Sequence, residues 1–141
     1  MAVQPYLFFN GRCEEALAFY QERLDAKVEV MMRFKENPDA GAMEHMKVNS
    51  EAVMHASLRI GDAMIMCSDG MGGDGKTNFQ GFSLALDVAT EAEADRVFEA
   101  LAQDGQIQMP IGKTFFSPRF GCVADKFGVS WMVMVMVPQP M

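Results

Sequence analysis

Hydrophobic and polar positions along this chain follow two rhythms, and the order in which the rhythms alternate occurs twice. Residues 5–9 (PYLFF) form a short apolar run closed by the turn pair Asn10-Gly11, which predicts a strand. Over 13–24 the apolar residues Leu17, Tyr20 and Leu24 recur at helical spacing, and Glu14 and Glu15 suit the positive end of the helix dipole. Over 28–34 (VEVMMRF) the period falls to two, with Val28, Val30, Met32 and Phe34 set against Glu29 and Arg33, as in a half-buried strand. Residues 36–50 are polar, carry Pro38 and Gly41, and read as a long loop. Residues 55–68 (HASLRIGDAMIMCS) read as a hairpin turning at Gly61-Asp62.

The same order then returns. A strand over 82–88 (FSLALDV) leads to Thr90, with Glu93 three residues on, the pattern of a capping box. Ala94, Val97 and Leu101 repeat the spacing of Leu17, Tyr20 and Leu24, and Asp104-Gly105 ends the helix. The strand over 106–111 (QIQMPI) contains Pro110, which lacks an amide to give to a neighbour and so predicts an edge position. A last hairpin, 120–137, turns over 125–128. Each half is strand, helix and three strands. This predicts two βαβββ modules, 1–70 and 78–141, joined by a linker over 71–77. The glycine-rich GMGGDG at 70–75 belongs to that linker, since a phosphate loop must open a helix and no helical pattern follows it.

Composition narrows the partners. The net charge of -7 would repel a phosphate backbone, which argues against nucleic acid. No apolar run approaches the ~18 residues that span a bilayer, and MAVQPYLFF lacks the basic start of a leader peptide, so no membrane partner is expected. Cys13, Cys67 and Cys122 are odd in number and far apart, with no CxxC pair; free thiols fit a reducing cytoplasm. The 14 methionines are the outlier, and they suit either core filling or the walls of an adaptable pocket.

The duplicated order, together with PYLFFNGRCEEALAFY, HASLRIGD and DKFGVSWMV, resembles the vicinal-oxygen-chelate superfamily, the fold of glyoxalases, bleomycin-resistance proteins and extradiol dioxygenases, and within it the PhnB-like branch. The resemblance implies an α+β fold over 1–141: tandem βαβββ modules in a curved, incomplete β-barrel, helices on the convex face and ligand on the concave one. Metal-using members place a ligand, typically His or Glu, on the first and last strand of each module. Here those positions fall on Pro5 and Met66 and on Ser83 and Met132. Thioethers are soft, and this set does not suit a hard divalent ion, so neither metal nor cofactor is expected. A shift of one residue in either direction does not restore a donor set. Some branch members carry a demethylubiquinone methyltransferase description, but no glycine motif lies between a strand and a helix to cradle S-adenosylmethionine.

Alternation also assigns faces. On the last strand Ser130, Met132 and Met134 share one face and Trp131, Val133 and Val135 the other. If Met132 takes the ligand position that the resemblance implies, its face is the concave one and Trp131 packs under the helices. A tight hairpin at 125–128 would place Arg119, Gly121 and Val123 across from the methionine face. The first module's hairpin sets Met64, Met66 and Ser68 opposite Arg59, Ser57 and His55. The expected ligand-binding set is therefore Met64, Met66, Ser68, Ser83, Arg119, Ser130, Met132 and Met134, with Met66 and Met132 approaching one another. His55 reads either as a satisfied structural group or as a catalytic acid–base oriented by nearby Asp69. Arg119 reads either as half of an ion pair or as an anion clamp. His45 lies in the long loop and could serve a lid.

Three functions follow from these residues: a metal-free protein that binds a small organic ligand, a lyase- or dioxygenase-like enzyme with a displaced metal site or His55 as acid–base, and an interaction protein whose methionine face is an interface. The apolar strand over 28–34, left open at an edge, predicts a homodimer.

Overall fold

The computed structural model describes residues 1–38, 49–71 and 74–136. The chain divides into two compact units, Met1–Thr77 and Asn78–Met141. The first contains β1 (Tyr6–Phe8), α1 (Cys13–Leu24), β2 (Lys27–Arg33), a short 3₁₀ turn (Phe34–Glu36), β3 (Val53–Ile60) and β4 (Ala63–Ser68). The second contains β5 (Leu84–Val88), α2 (Glu91–Ala102), β6 (Gln106–Gly112), β7 (Phe120–Ala124) and β8 (Ser130–Val135). The fold is α+β, with the repeated strand–helix–three-strand order read from the sequence. His45 and the rest of 39–48, Gly72 and Gly73, and residues 137–141 lie outside the described residues.

Each unit carries one four-stranded mixed sheet, ordered β1-β4-β3-β2 and β5-β8-β7-β6, and neither closes into a barrel. The first strand of a unit pairs in parallel with the last, and the helix carries the chain from that strand to the opposite edge of the sheet. The other pairings are antiparallel. In each unit the helix covers one face of its own sheet. Leu7, Ala56, Leu58, Ile65 and Cys67 lie buried beneath α1 with Ala16, Leu17 and Tyr20; Val123, Trp131 and Val133 lie buried beneath α2 with Ala94, Val97, Phe98 and Leu101. Gly121 lets α2 approach, because a Cβ there would lie 2.7 Å from the Phe98 ring and 2.9 Å from the Ile111 backbone.

The helix ends use different devices. Thr90 Oγ1 accepts a hydrogen bond from the Glu93 amide (3.1 Å), an N-cap supplied by a neighbour in sequence. At α1, Arg12 offers no side-chain cap. Asp69, just past β4, does so instead: its Oδ1 accepts from the Gly11 and Cys13 amides and its Oδ2 from the Val53 amide, each at 2.8 Å. One buried carboxylate thus ties together the start of α1, the start of β3 and the end of β4.

Two local expectations are corrected. β2 does not alternate cleanly, because register shifts fall between Val28 and Val30 and between Met32 and Arg33; Phe34 leaves the strand and is buried in the 3₁₀ turn. A bulge takes an extra residue without a partner and flips the faces beyond it. In β7 the expected register is off by one. Phe120, Cys122 and Ala124 pair with Met134, Met132 and Ser130, while Gly121 and Val123 lie opposite Val133 and Trp131 on the helix side. The 125–128 turn consumes one residue more on the β8 side, with the Gly128 amide donating to the Asp125 carbonyl and Gly128 at φ +89°.

Replacing Asp69 by Ala orphans three backbone amides, two of them in buried surroundings. At about 1–3 kcal/mol for each unsatisfied buried donor, Asp69→Ala is expected to lower stability by roughly 3–5 kcal/mol. Urea unfolding checks this; a change under about 1 kcal/mol would show that the carboxylate does not hold the unit together.

Candidate functional site

The face of each sheet away from its helix is the one that can meet a ligand. In the first unit this face follows from β4, where Ile65 and Cys67 are buried while Met64 and Met66 are partly open. Met64 pairs with Arg59, Met66 with Ser57 on one side and with Tyr6 on the other, as the β3–β4 hairpin pattern predicts for the two methionines. Tyr6, not Pro5, is thus the first-strand residue beside Met66; the Pro5 carbonyl accepts from the Met66 amide instead.

β1 adds two exposed aromatic side chains that the sequence reading did not single out. Tyr6 is 39% exposed and Phe8 52% exposed. As i and i+2 residues of one strand they share a face, and their rings stack at 5.1 Å with an interplanar angle of 25°. The signal was present in PYLFF as two aromatics at period two. The Tyr6 hydroxyl lies 3.0 Å from His55 Nδ1, across from β1 to β3. Burial, reinforced by the neighbouring Cys67 and Cys13 thiols, pushes the Tyr6 phenol above its ordinary value, with Ser68 offsetting part of the effect. Either the phenol or His55 Nδ1 can supply the proton of this bond, according to the imidazole tautomer.

His55 therefore takes its orientation from Tyr6 and not from Asp69, whose oxygens are already engaged by three amides. Ser68, expected on the open face, is buried; its hydroxyl donates to the Val53 carbonyl (3.4 Å) and accepts from the Gly70 amide (2.8 Å). Beneath the sheet, the Cys13 thiol hydrogen-bonds the Cys67 sulfur, and that bond together with burial holds Cys13 strongly protonated.

In the second unit Trp131, Val133 and Val135 are buried and Ser130, Met132 and Met134 are partly open, the face assignment expected for the last strand. The Trp131 indole donates to Asp125 Oδ2 (2.9 Å), while Asp125 Oδ1 accepts from the Phe127 and Val129 amides. Parallel pairing sets Ala85 beside Met132 and Asp87 beside Met134. Ser83 stands within 2.8 Å of the Ser130 hydroxyl, which reaches Gln108 Oε1 at 3.0 Å, so Ser83, Ser130 and Gln108 form a polar chain across this face.

Arg119 belongs to the other side. It follows from the corrected β7 register, and its guanidinium pairs with Asp95 of α2, Nε–Oδ1 2.9 Å and Nη2–Oδ1 2.8 Å. The ion-pair reading of this arginine holds, and it does not share a face with Met132 and Met134. A separate cleft of about 440 Å³ lies at the start of α1, lined by Glu14, Arg33, Glu51 and Asp69 among others. Its charges are mutually engaged: Arg33 Nη2 donates to Glu14 (2.6 Å) and Nη1 to the Glu51 carbonyl (2.7 Å). The bond from Arg33 holds the Glu14 carboxyl below the usual range.

The metal expected of vicinal-oxygen-chelate relatives can be tested on this donor set. Tyr6 and Met66, and Ala85 and Met132, are the paired first- and last-strand residues. A raised phenol, a methyl group and two thioethers do not suit a hard divalent ion. Among the described residues, no group of three or more His, Cys, Asp and Glu side chains is placed to hold one.

Comparison with known proteins agrees with this architecture. A family model described as 3-demethylubiquinone-9 3-methyltransferase matches residues 1–134. Protein YjdN of Escherichia coli K12 is 39% identical over 146 residues, covering 99% of both chains. The crystal structure of PA1353 from Pseudomonas aeruginosa superposes with a TM-score of 0.82 at 37% identity, over 96% of this chain and 98% of that one. A PhnB protein from Bacillus cereus superposes at 0.77 with 34% identity, over 96% and 99%. A glyoxylase/bleomycin resistance protein/dioxygenase domain from Frankia, at 16% identity and a TM-score of 0.64 over 97% and 98%, shares the fold.

Two outcomes check the site. The Tyr6 phenol should titrate above the free-tyrosine value of about 10, read as the ultraviolet difference between the native protein and Tyr6→Phe. A folded value raised in this way stabilises the protein fully below the unfolded value, and the contribution is lost as pH rises through the folded one. Arg119→Ala should leave ligand affinity unchanged and cost at most about 1 kcal/mol of stability, as for a partly exposed ion pair.

Proposed function

We propose that this chain, which belongs to the PhnB-like family on the glyoxalase and bleomycin-resistance fold, binds a small organic molecule on the open sheet faces without a hard divalent metal. One observation carries the reading: an exposed stacked pair, Tyr6 and Phe8, shares a face with Met66, the cross-strand partner of Tyr6, with a tyrosine–histidine hydrogen bond at its edge. Aromatic and thioether surfaces adapt to a flat apolar ligand, and a few polar groups then fix its orientation. Met132, Met134, Ser83 and Ser130 offer a second surface of the same kind, with a polar chain in place of the aromatic pair.

The methyl-transfer description attached to the family is not adopted. Gly70 and Gly75 have positive φ, yet the described residues that follow run irregularly to β5 and open no helix. The strand–glycine–helix arrangement that would seat S-adenosylmethionine is therefore not what supports a function here.

A second reading, acid–base catalysis on the same ligand, is favoured by the Tyr6–His55 bond. It fixes the ring through Nδ1 and leaves Nε2 as the nitrogen that can exchange a proton with a ligand. The cytoplasm suits the three free thiols. No helix among the described residues is long and apolar enough to cross a membrane. A homodimer is supported by β2, an edge strand that exposes Val30 and Met31; monomer mass by light scattering at micromolar concentration would count against it.

The test is a screen of planar aromatic fragments against protein labelled at the methionine methyls. Binders should shift Met64 and Met66. Tyr6→Ala and Phe8→Ala should each weaken them about ten-fold. Binders that shift neither methyl, or stoichiometric manganese, iron, nickel or zinc in untagged protein, would overturn the proposal. Turnover lost in His55→Ala with binding retained would establish the second reading.

A further inference from the structure

Across the open face of the second sheet, three sulfur side chains stand in one row on three neighbouring strands. Met132 of β8 pairs with Cys122 of β7, and Cys122 pairs with Met109 of β6. Cross-strand partners share a face. This face is the one away from α2, because Val123 and Trp131, the alternate residues of β7 and β8, are buried beneath that helix. The bulge between Ile107 and Met109 brings Met109 onto it. Met109 is 47% exposed, and Cys122 and Met132 are partly exposed, so solvent ions reach all three. Next to Met132, on β5, stands only the methyl group of Ala85.

The geometry points to a binding site for a soft monovalent cation, Cu(I) in the cell, formed by the Cys122 sulfur between the Met109 and Met132 thioethers. Directly paired residues have Cβ atoms about 5 Å apart. A central cysteine with a methionine on each side therefore sets three sulfurs within reach of one ion, since each thioether swings on flexible single bonds. Thiolate and thioether donors select Cu(I) and discriminate against oxygen- and imidazole-seeking divalent ions. Binding is a ligand exchange with no change of oxidation state. The Cys122 S–H bond breaks, the proton goes to solvent, the sulfur bonds the ion, and each methionine adds a lone pair. Cys13 and Cys67, the other thiols, are fully buried under α1 and hydrogen-bonded to each other, which separates them from an ion arriving from solvent.

The test is Cu(I) titration of the whole chain under reducing, oxygen-free conditions against a chromophoric Cu(I) chelator, with methionine-methyl NMR as a second readout. One Cu(I) per chain is expected, with shifts at Met109 and Met132. Cys122→Ser should weaken binding at least about a hundred-fold, the upper end of what even an outer-shell partner costs. The double variant Met109→Leu, Met132→Leu conserves volume on an open face, so it should keep its circular dichroism while losing affinity comparably. No binding by the native chain would overturn the site, as would undiminished binding by the folded double variant or by a folded Cys122→Ser. Methyl shifts confined to methionines outside this row would also overturn it. The fragment screen is read at Met64 and Met66 and this titration at Met109 and Met132, so either proposal can fail without the other.

Discussion

Each unit depends on one buried carboxylate that accepts hydrogen bonds from groups the strands and helix leave over. Asp69 takes the amides of Gly11, Cys13 and Val53; Asp125 takes the amides of Phe127 and Val129 and the indole of Trp131. A buried amide without an acceptor is costly, and a charged acceptor forms the stronger kind of bond. These two residues therefore fix where a helix starts, where a hairpin turns and which way the tryptophan points. The open faces follow from that. Once Trp131 is bound to Asp125 and buried, alternation leaves Met132 no direction but outward. The first unit obeys the same logic: Cys67 is buried under α1, so Met66 stands on the other side beside Tyr6.

The two open faces share an origin but differ in chemistry. The first has an aromatic pair and an imidazole held by a phenol. The second has a sulfur row and a hydroxyl–amide chain. On the paired first and last strands these faces carry Tyr6 and Met66, and Ala85 and Met132. A duplicated scaffold permits this divergence, because the carboxylate, the helix and the buried strand faces carry the stability and leave the outer faces unconstrained.

Much of the architecture was legible because it is written locally. Helical spacing over 13–24 and again at Ala94, Val97 and Leu101 located both helices, Gly61-Asp62 located a hairpin, and Pro110 marked β6 as an edge. The faces of β4 and β8 were legible for the same reason: period-two alternation in an unbroken strand is independent of its neighbours. In β7 and β2 the local argument failed. One residue in the 125–128 turn moved Arg119 to the helix side and Cys122 to the open side, and bulges in β2 broke its alternation. Pairing register depends on turn geometry and on where extra residues are absorbed, and a one-residue slip exchanges the faces.

The sequence by itself determined the α+β class, the tandem βαβββ order, the helix-facing role of Trp131 and the outward placing of Met64, Met66, Met132 and Met134. Periodicity within segments and its repetition along the chain gave the element order and grouped the side chains by face. The resemblance of Met66 and Met132 to ligand positions of the superfamily implied which group points outward. Only the tertiary structure decided that Asp69 caps α1 and does not orient His55, that Tyr6 holds His55, that Arg119 pairs with Asp95, and that Met109, Cys122 and Met132 align. Every one of these joins residues distant in the chain, through a hydrogen bond, an ion pair or a cross-strand register. Such partners are chosen by the distance and direction that packing imposes between elements, and no spacing along one segment encodes them.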